Sequence, residues 1–277
     1  MQEISKKGSI MAAASSGYAD VNGLHLYYEL HGSGSPLVLL HGGMLTIDLS
    51  FGDLIPLLVD KHQVIAVELQ GHGRTADIDR AITYEQMADD TAALIAHLSL
   101  EQPDVVGYSM GAGVTLQLGM RHHGVARKLV AASAAFSSAG VQPEAWAMFP
   151  SISPEMFAGT PMEDAYKSVA PDPDAFTTLV SKLKTLDTEE FTWSQDAIRA
   201  ITEPMLLIAG DSDVVTVEHM AELYRLLGGG KMGDLSGLPA SQLAILPGTT
   251  HFMPPGAGVI DRTDWLLSMI GTFLAEA

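Results

Sequence analysis

No cysteine occurs among the 277 residues, so disulfide scaffolds, thiolate metal centres and a cysteine nucleophile are excluded. Basic residues are scarce: 15 Lys and Arg stand against 33 Asp and Glu, a formal charge of −18. That surplus would repel a nucleic-acid backbone, and an anionic membrane surface equally. No stretch approaches the roughly 18 consecutive apolar residues of a membrane helix. Near the start, the apolar run over residues 10–14 is too short for a signal-peptide core. Residues 1–17 therefore read as a disordered N-terminal extension, and the expected location is cytoplasmic. What the chain does have is apolar material, 47 % of its residues against 17 % charged, enough for a buried core.

After residue 18, short β-branched runs alternate with longer helical patterns, as in a parallel sheet flanked by helices. Residues 24–30 alternate at period two and end in the turn cluster 31–36. Continuous apolar runs follow at 37–40, 62–67, 103–106, 128–131, 205–209 and 243–246. Such runs suit strands covered on both faces. Helices are expected over 83–98, where Thr83 and Gln86 have capping-box spacing, and over 110–123, 217–227 and 261–275.

Residues 136–200 break this rhythm. They hold five of the eight Phe and two of the three Trp, recurrent proline, and no buried strand pattern. We read them as a helical cap inserted into a core of residues 18–135 and 201–277. The Gly-rich stretch 228–242 reads as a surface connection.

The sharpest local signal is Gly107-Tyr108-Ser109-Met110-Gly111, between an apolar run and a helical pattern. Alone, the pentapeptide could be a Gly-rich turn with a capping serine. In a strand–turn–helix context it exposes the serine hydroxyl at the carboxyl end of a sheet, beside a helix amino terminus. A serine attacks only when a base takes its proton, and histidine fits best. Of ten histidines, His251 follows the last expected strand and so shares the rim with Ser109. An acid must orient the imidazole. Asp211 and Asp213 both lie past the run 205–209, and the longer excursion of Asp213 makes it the better candidate. His41-Gly42-Gly43 ends another strand run, so the Gly43 amide, with that of Met110, could stabilise an oxyanion. His41 itself reads as a brace for the loop.

Together these motifs, in the order H-G-G, G-x-S-x-G, G-x-x-D and H, resemble the α/β-hydrolase superfamily. Residues 68–75 (ELQGHGRT) are similar to its D-x-x-G-H-G-x-S turn, with Glu68 for Asp and Thr75 for Ser. The resemblance covers roughly residues 18–275. It implies a three-layer α/β-hydrolase fold with a mostly parallel sheet and an inserted helical cap. It further implies Ser109 as nucleophile, His251 as base, Asp213 as acid, and Gly43 and Met110 as the oxyanion hole. The alternative acid position, after the sixth strand, reads Ala-Ala-Ser-Ala-Ala at 131–135 and holds no carboxylate.

The expected function is a serine esterase of lipase-like type, acting on small to medium apolar neutral esters. Lactone, amide or C–C hydrolysis, perhydrolysis, and a receptor with little turnover are alternatives on the same fold. Trp146, Phe149, Phe157 and Trp193 are candidate substrate-binding residues; the same rings could equally serve to hold the cap on the sheet. No metal or cofactor is implied. His122 and His123 point apart on a helix, and Gly71-His72-Gly73 lacks the glycine spacing of a dinucleotide loop. The expected partner is a small-molecule ester, and oligomeric state is not readable from the chain.

Overall fold

The computed structural model describes residues 15–275. Eight strands form one sheet: β1 (Ser15–Val21), β2 (Leu24–His31), β3 (Ser35–Leu40), β4 (His62–Val67), β5 (Asp104–Tyr108), β6 (Leu129–Ala132), β7 (Met205–Ser212) and β8 (Gln242–Thr250). Their spatial order is β1-β2-β4-β3-β5-β6-β7-β8. The pairs β1–β2 and β2–β4 are antiparallel and the remaining pairs are parallel.

Each expected strand is present within a few residues. The strand that sequence reading missed is β1. Ser15, Ser16 and Gly17, assigned above to a disordered extension, pair with Leu30, Glu29 and Tyr28. Residues 1–14 of that extension lie outside the described residues. Only Ala19 and Val21 of β1 are buried, so this edge strand carries almost no apolar signal.

The continuous apolar runs divide their side chains between two layers, because successive residues of a strand face opposite ways. Val38, Leu40, Ile65, Val67, Val105 and Leu207 join the core on one face, and Leu37, Leu39, Val64, Ala66, Val106 and Leu206 that on the other. Each fully buried Val, Leu or Ile contributes about 1.5–3 kcal/mol relative to exposure.

Helices α1 (Ile47–Phe51) and α2 (Ile55–Leu58) follow β3, and α3 (Tyr84–His97) and α4 (Met110–Arg121) flank β5 in sequence. Thr83 caps α3 by accepting the Gln86 amide at 3.1 Å, as the spacing predicted. Between β6 and β7 run α5 (Pro143–Met148), α6 (Pro161–Val169), α7 (Phe176–Thr188) and α8 (Gln195–Arg199), with short 3₁₀ turns. The chain leaves and returns at one place. Ser137 bridges to Thr192, and the Trp193 amide donates to Phe136 O at 2.8 Å. Residues 136–200 are thus a helical excursion from the sheet's carboxyl edge. The last helices are α9 (Val217–Leu226), α10 (Gly233–Ser236) and α11 (Thr263–Ala275). No helix among the described residues is long and apolar enough to cross a membrane.

Candidate active site

Ser109 stands between β5 and α4 with φ 55° and ψ −117°. A non-glycine residue in that region is strained by about 1–3 kcal/mol, and the surroundings must enforce it. They do so through two close approaches. A Cβ on Gly107 would lie 2.1 Å from Gly111 O, and one on Gly111 would lie 2.1 Å from Leu40 O. Only glycine fits at either place, which gives the pentapeptide its physical reason.

The Ser109 Oγ lies 2.9 Å from His251 Nε2, and His251 Nδ1 lies 2.7 Å from Asp213 Oδ1. The three side chains form one continuous hydrogen-bonded chain. Asp213 is buried and accepts three further bonds: from Ser133 Oγ at 2.6 Å, Gly210 N at 3.1 Å and Val215 N at 3.4 Å. Burial alone would raise its pKa, but the His251 hydrogen bond and charge, aided by Ser133 and Gly210, hold it below the usual carboxylate value. Asp213 therefore stays ionised beside the imidazole.

Asp211 does different work. Its carboxylate accepts the amides of Gly248 at 2.9 Å and Thr249 at 3.1 Å, and those backbone bonds lower its pKa. It fixes the strand end that leads to His251, and it makes no hydrogen bond or ion pair with the imidazole.

Gly43 and Met110 adjoin: a Cβ on Gly43 would lie 4.0 Å from Met110 Cβ and 3.6 Å from Leu183 Cδ1 of α7. Neither amide donates a hydrogen bond to another described residue. His41 and His72 secure this loop. Nε2 of His41 accepts the Leu69 amide at 3.0 Å, and Nε2 of His72 accepts the Met44 amide at 3.1 Å. Both rings are fully buried, which lowers His41 to about 4 and His72 well below its ordinary value. They are neutral acceptors. His41 was legible as a brace; its partner His72 was not separated from the surrounding turn motif. In that turn Thr75 keeps the hydroxyl's task, accepting the Tyr27 amide at 2.9 Å and donating to Glu68 O. Glu68 is buried, which raises its carboxyl to about 7 although it accepts both the Arg74 amide and guanidinium.

Two residues beside this hydrogen-bonded chain escaped sequence reading. The Tyr108 hydroxyl donates to His251 O at 2.7 Å, and Ser133, with φ 63°, grips Asp213 from the end of β6. No spacing rule marks either one, since each acts on a partner far away in the chain.

The four aromatic candidates pack chiefly among other rings. Trp146 meets Phe149 at 5.9 Å, Phe157 meets Phe176 at 6.2 Å, and Trp193 meets Tyr84 at 5.4 Å and Phe191 at 5.2 Å. All four remain partly exposed. A separate cavity of about 330 Å³ at the root of the inserted segment is lined by Phe136, Ser137, His219 and Glu222, among others, and not by Ser109, Asp213 or His251. Among the described residues no group of three or more His, Cys, Asp or Glu is arranged to hold a metal ion.

A sequence profile described as the alpha/beta hydrolase family matches residues 37–258, which include the whole hydrogen-bonded chain. The chain belongs to the alpha/beta hydrolase family. This α/β-hydrolase is 35 % identical over 101 residues to a non-heme haloperoxidase of Rhodococcus erythropolis, covering 36 % of this chain and 37 % of that protein. The chain thus spans less than half the length of the relatives it matches in sequence. Its fold extends much further. A serine hydrolase involved in carbazole degradation superposes with a TM-score of 0.72 at 21 % identity, covering 94 % of this chain and 98 % of the other. An enol-lactonase from Burkholderia xenovorans LB400 gives 0.67 at 19 % identity, covering 94 % and 100 %. These similarities extend the hydrolase architecture over nearly the whole α/β-hydrolase described here.

Proposed function

We propose that this α/β-hydrolase is a serine hydrolase that cleaves carboxylic esters through an acyl-enzyme. The observation that carries the reading is the continuous chain from Ser109 Oγ through His251 to buried Asp213. His251 Nε2 takes the hydroxyl proton as Oγ attacks the ester carbonyl, and ionised Asp213 stabilises the resulting imidazolium. The carbonyl oxygen becomes an oxyanion and accepts from the amides of Gly43 and Met110, which have no partner among the described residues. Collapse expels the alcohol, whose oxygen takes the proton from His251. Water then loses a proton to His251 and attacks the acyl carbon, releasing the acid and restoring Ser109. Leu183 and Met110 beside Gly43 suit an apolar, uncharged acyl group of small to medium size. The formal charge of −18 disfavours substrates with a carboxylate near the scissile bond.

The similarity to a haloperoxidase favours a second reading, in which hydrogen peroxide replaces water in the last step and leaves as a peracid. A series of p-nitrophenyl esters from acetyl to decanoyl, assayed with and without peroxide, separates the two. A fluorophosphonate probe should label Ser109 alone, and Ser109→Ala should abolish turnover while the protein stays folded. Labelling elsewhere, or full activity in that variant, overturns the mechanism.

A further inference from the structure

Asp187 lies in the last turn of α7 and is half-buried, yet its carboxylate makes no hydrogen bond or ion pair among the described residues. Four residues earlier on the same helix, Leu183 reaches to within 3.6 Å of the position a Gly43 Cβ would occupy. Residues at that spacing share a helix face, so Asp187 continues the surface that Leu183 turns toward the reacting centre. The charge of His251 acts on Asp187, and that of Asp187 acts on the phenol of Tyr84 on α3. Among the described residues no lysine or arginine pairs with Asp187.

Tyr84 belongs to an aromatic cluster. Its ring meets Trp193 edge-on at 5.4 Å and Phe191 at 6.0 Å, and a Cβ on Gly113 of α4 would lie 2.5 Å from Tyr84 Cε1. Gly113 is the second glycine past the serine turn, so this cluster sits directly against the helix that carries Ser109 at its head. The Tyr84 hydroxyl also lacks a hydrogen-bond partner among the described residues. Neither it nor the Asp187 carboxylate is sealed from open space, whereas other unpartnered polar atoms such as His31 Nδ1 are.

We propose that Asp187 is the specificity residue of this site, the acceptor for a protonated amine on the alcohol part of an ester, with Tyr84, Phe191 and Trp193 as the aromatic wall beside it. The inference rests on the serine-hydrolase reading above. The alcohol side follows from His251: the group that protonates the leaving alcohol is the one whose charge acts on Asp187. A carboxylate together with ring faces is the chemistry that recognises ammonium groups. An unpartnered carboxyl that is costly to ionise gains most from a cationic ligand. In keeping with this, burial raises Asp187 to about 7, against the opposing pull of His251. A bound ammonium supplies the missing counter-charge.

The test uses an isosteric ester pair, 2-(dimethylamino)ethyl butanoate and 3-methylbutyl butanoate, the first protonated at neutral pH. The wild-type protein should favour the ammonium ester in kcat/KM by about tenfold, the ratio that 1.4 kcal/mol of binding produces. Asp187→Asn should bring the two esters to near parity, and Asp187→Glu should retain much of the preference. With wild-type protein alone, protonated 2-(dimethylamino)ethanol should inhibit hydrolysis of the neutral ester more strongly than 3-methylbutan-1-ol does. That arm decides the matter if either variant fails to fold. Equal rates for the two esters in the wild type, or a preference untouched by Asp187→Asn, overturns the proposal. If neither ester is hydrolysed, the esterase reading itself has failed. Calorimetric binding of the amino alcohol then judges Asp187 separately: loss of binding in Asp187→Asn supports the cation site, and absent or unchanged binding refutes it.

Discussion

Tyr108 and His251 are 143 residues apart in sequence, yet the Tyr108 hydroxyl donates to the His251 carbonyl at 2.7 Å and the two rings stack at 5.4 Å. The residue preceding Ser109 thus holds the backbone of the residue that would deprotonate it. The strand that leads to Ser109 and the loop that carries His251 are locked together by this one side chain. Burial raises the Tyr108 pKa, which keeps its hydroxyl a donor at all ordinary pH.

Tyr108→Phe should therefore lower kcat on a p-nitrophenyl ester by about threefold to tenfold, the worth of one net hydrogen bond. KM should change little, because the binding surface keeps its shape. Parallel kinetics and thermal melts check this. A variant with lowered melting temperature and unaltered kcat would show that Tyr108 serves the fold alone.

The two loop carboxylates should separate sharply. Asp213→Asn should reduce kcat about 10⁴-fold, the loss that the wrong histidine tautomer causes in the serine-protease example from which that magnitude is taken. Asp211→Asn should cost about tenfold or less, since it weakens bonds to the Gly248 and Thr249 amides and leaves the imidazole's partner in place. Steady-state kinetics on both variants decide it, and the reverse ranking refutes the assignment.

His41 and His72 make stability depend on acid pH. Both are neutral in the fold, with His41 lowered from 6.5 to about 4 by burial. Below pH 6.5 the unfolded chain takes up protons that the folded state refuses. Their stabilisation is thus complete above 6.5 and is lost as pH falls toward 4, with His41 alone accounting for about 3 kcal/mol. Glu68 and Asp187, raised to about 7, act in the opposite sense, since protonation suits their burial and the benefit fades as pH rises through 7. Denaturant unfolding from pH 7 to 4.5 should show a flatter decline in His41→Gln than in the wild type. Identical slopes would mean that the ring already carries a proton in the fold.

Most of the sheet was legible because β3 to β7 are largely covered on both faces and need unbroken apolar runs. β1 was not, because an edge strand with two buried side chains can be built from serine, glycine and alanine. That Ser109, His251 and Asp213 would come together was legible because each sits just past a strand, where a turn must occur and can be recognised. Ser133 was passed over for the same reason that made it effective: in Ala-Ala-Ser-Ala-Ala a lone hydroxyl carries no pattern, and its meaning comes from Asp213, 80 residues later, at 2.6 Å.

The sequence by itself determined the alternation of strand and helix, the glycines that let β5 and α4 pass closely, and the family to which these motifs point. Those are local properties, set by side-chain period and by which residues tolerate a turn. Tertiary structure decided which carboxylate meets His251, which rings pack together, and that the Asp187 carboxylate has no partner among the described residues. Ser109 and His251 are 142 residues apart and 2.9 Å from contact atom to contact atom. Closeness of that kind arises from packing two layers of helices onto one twisted sheet, and no local window of sequence contains it.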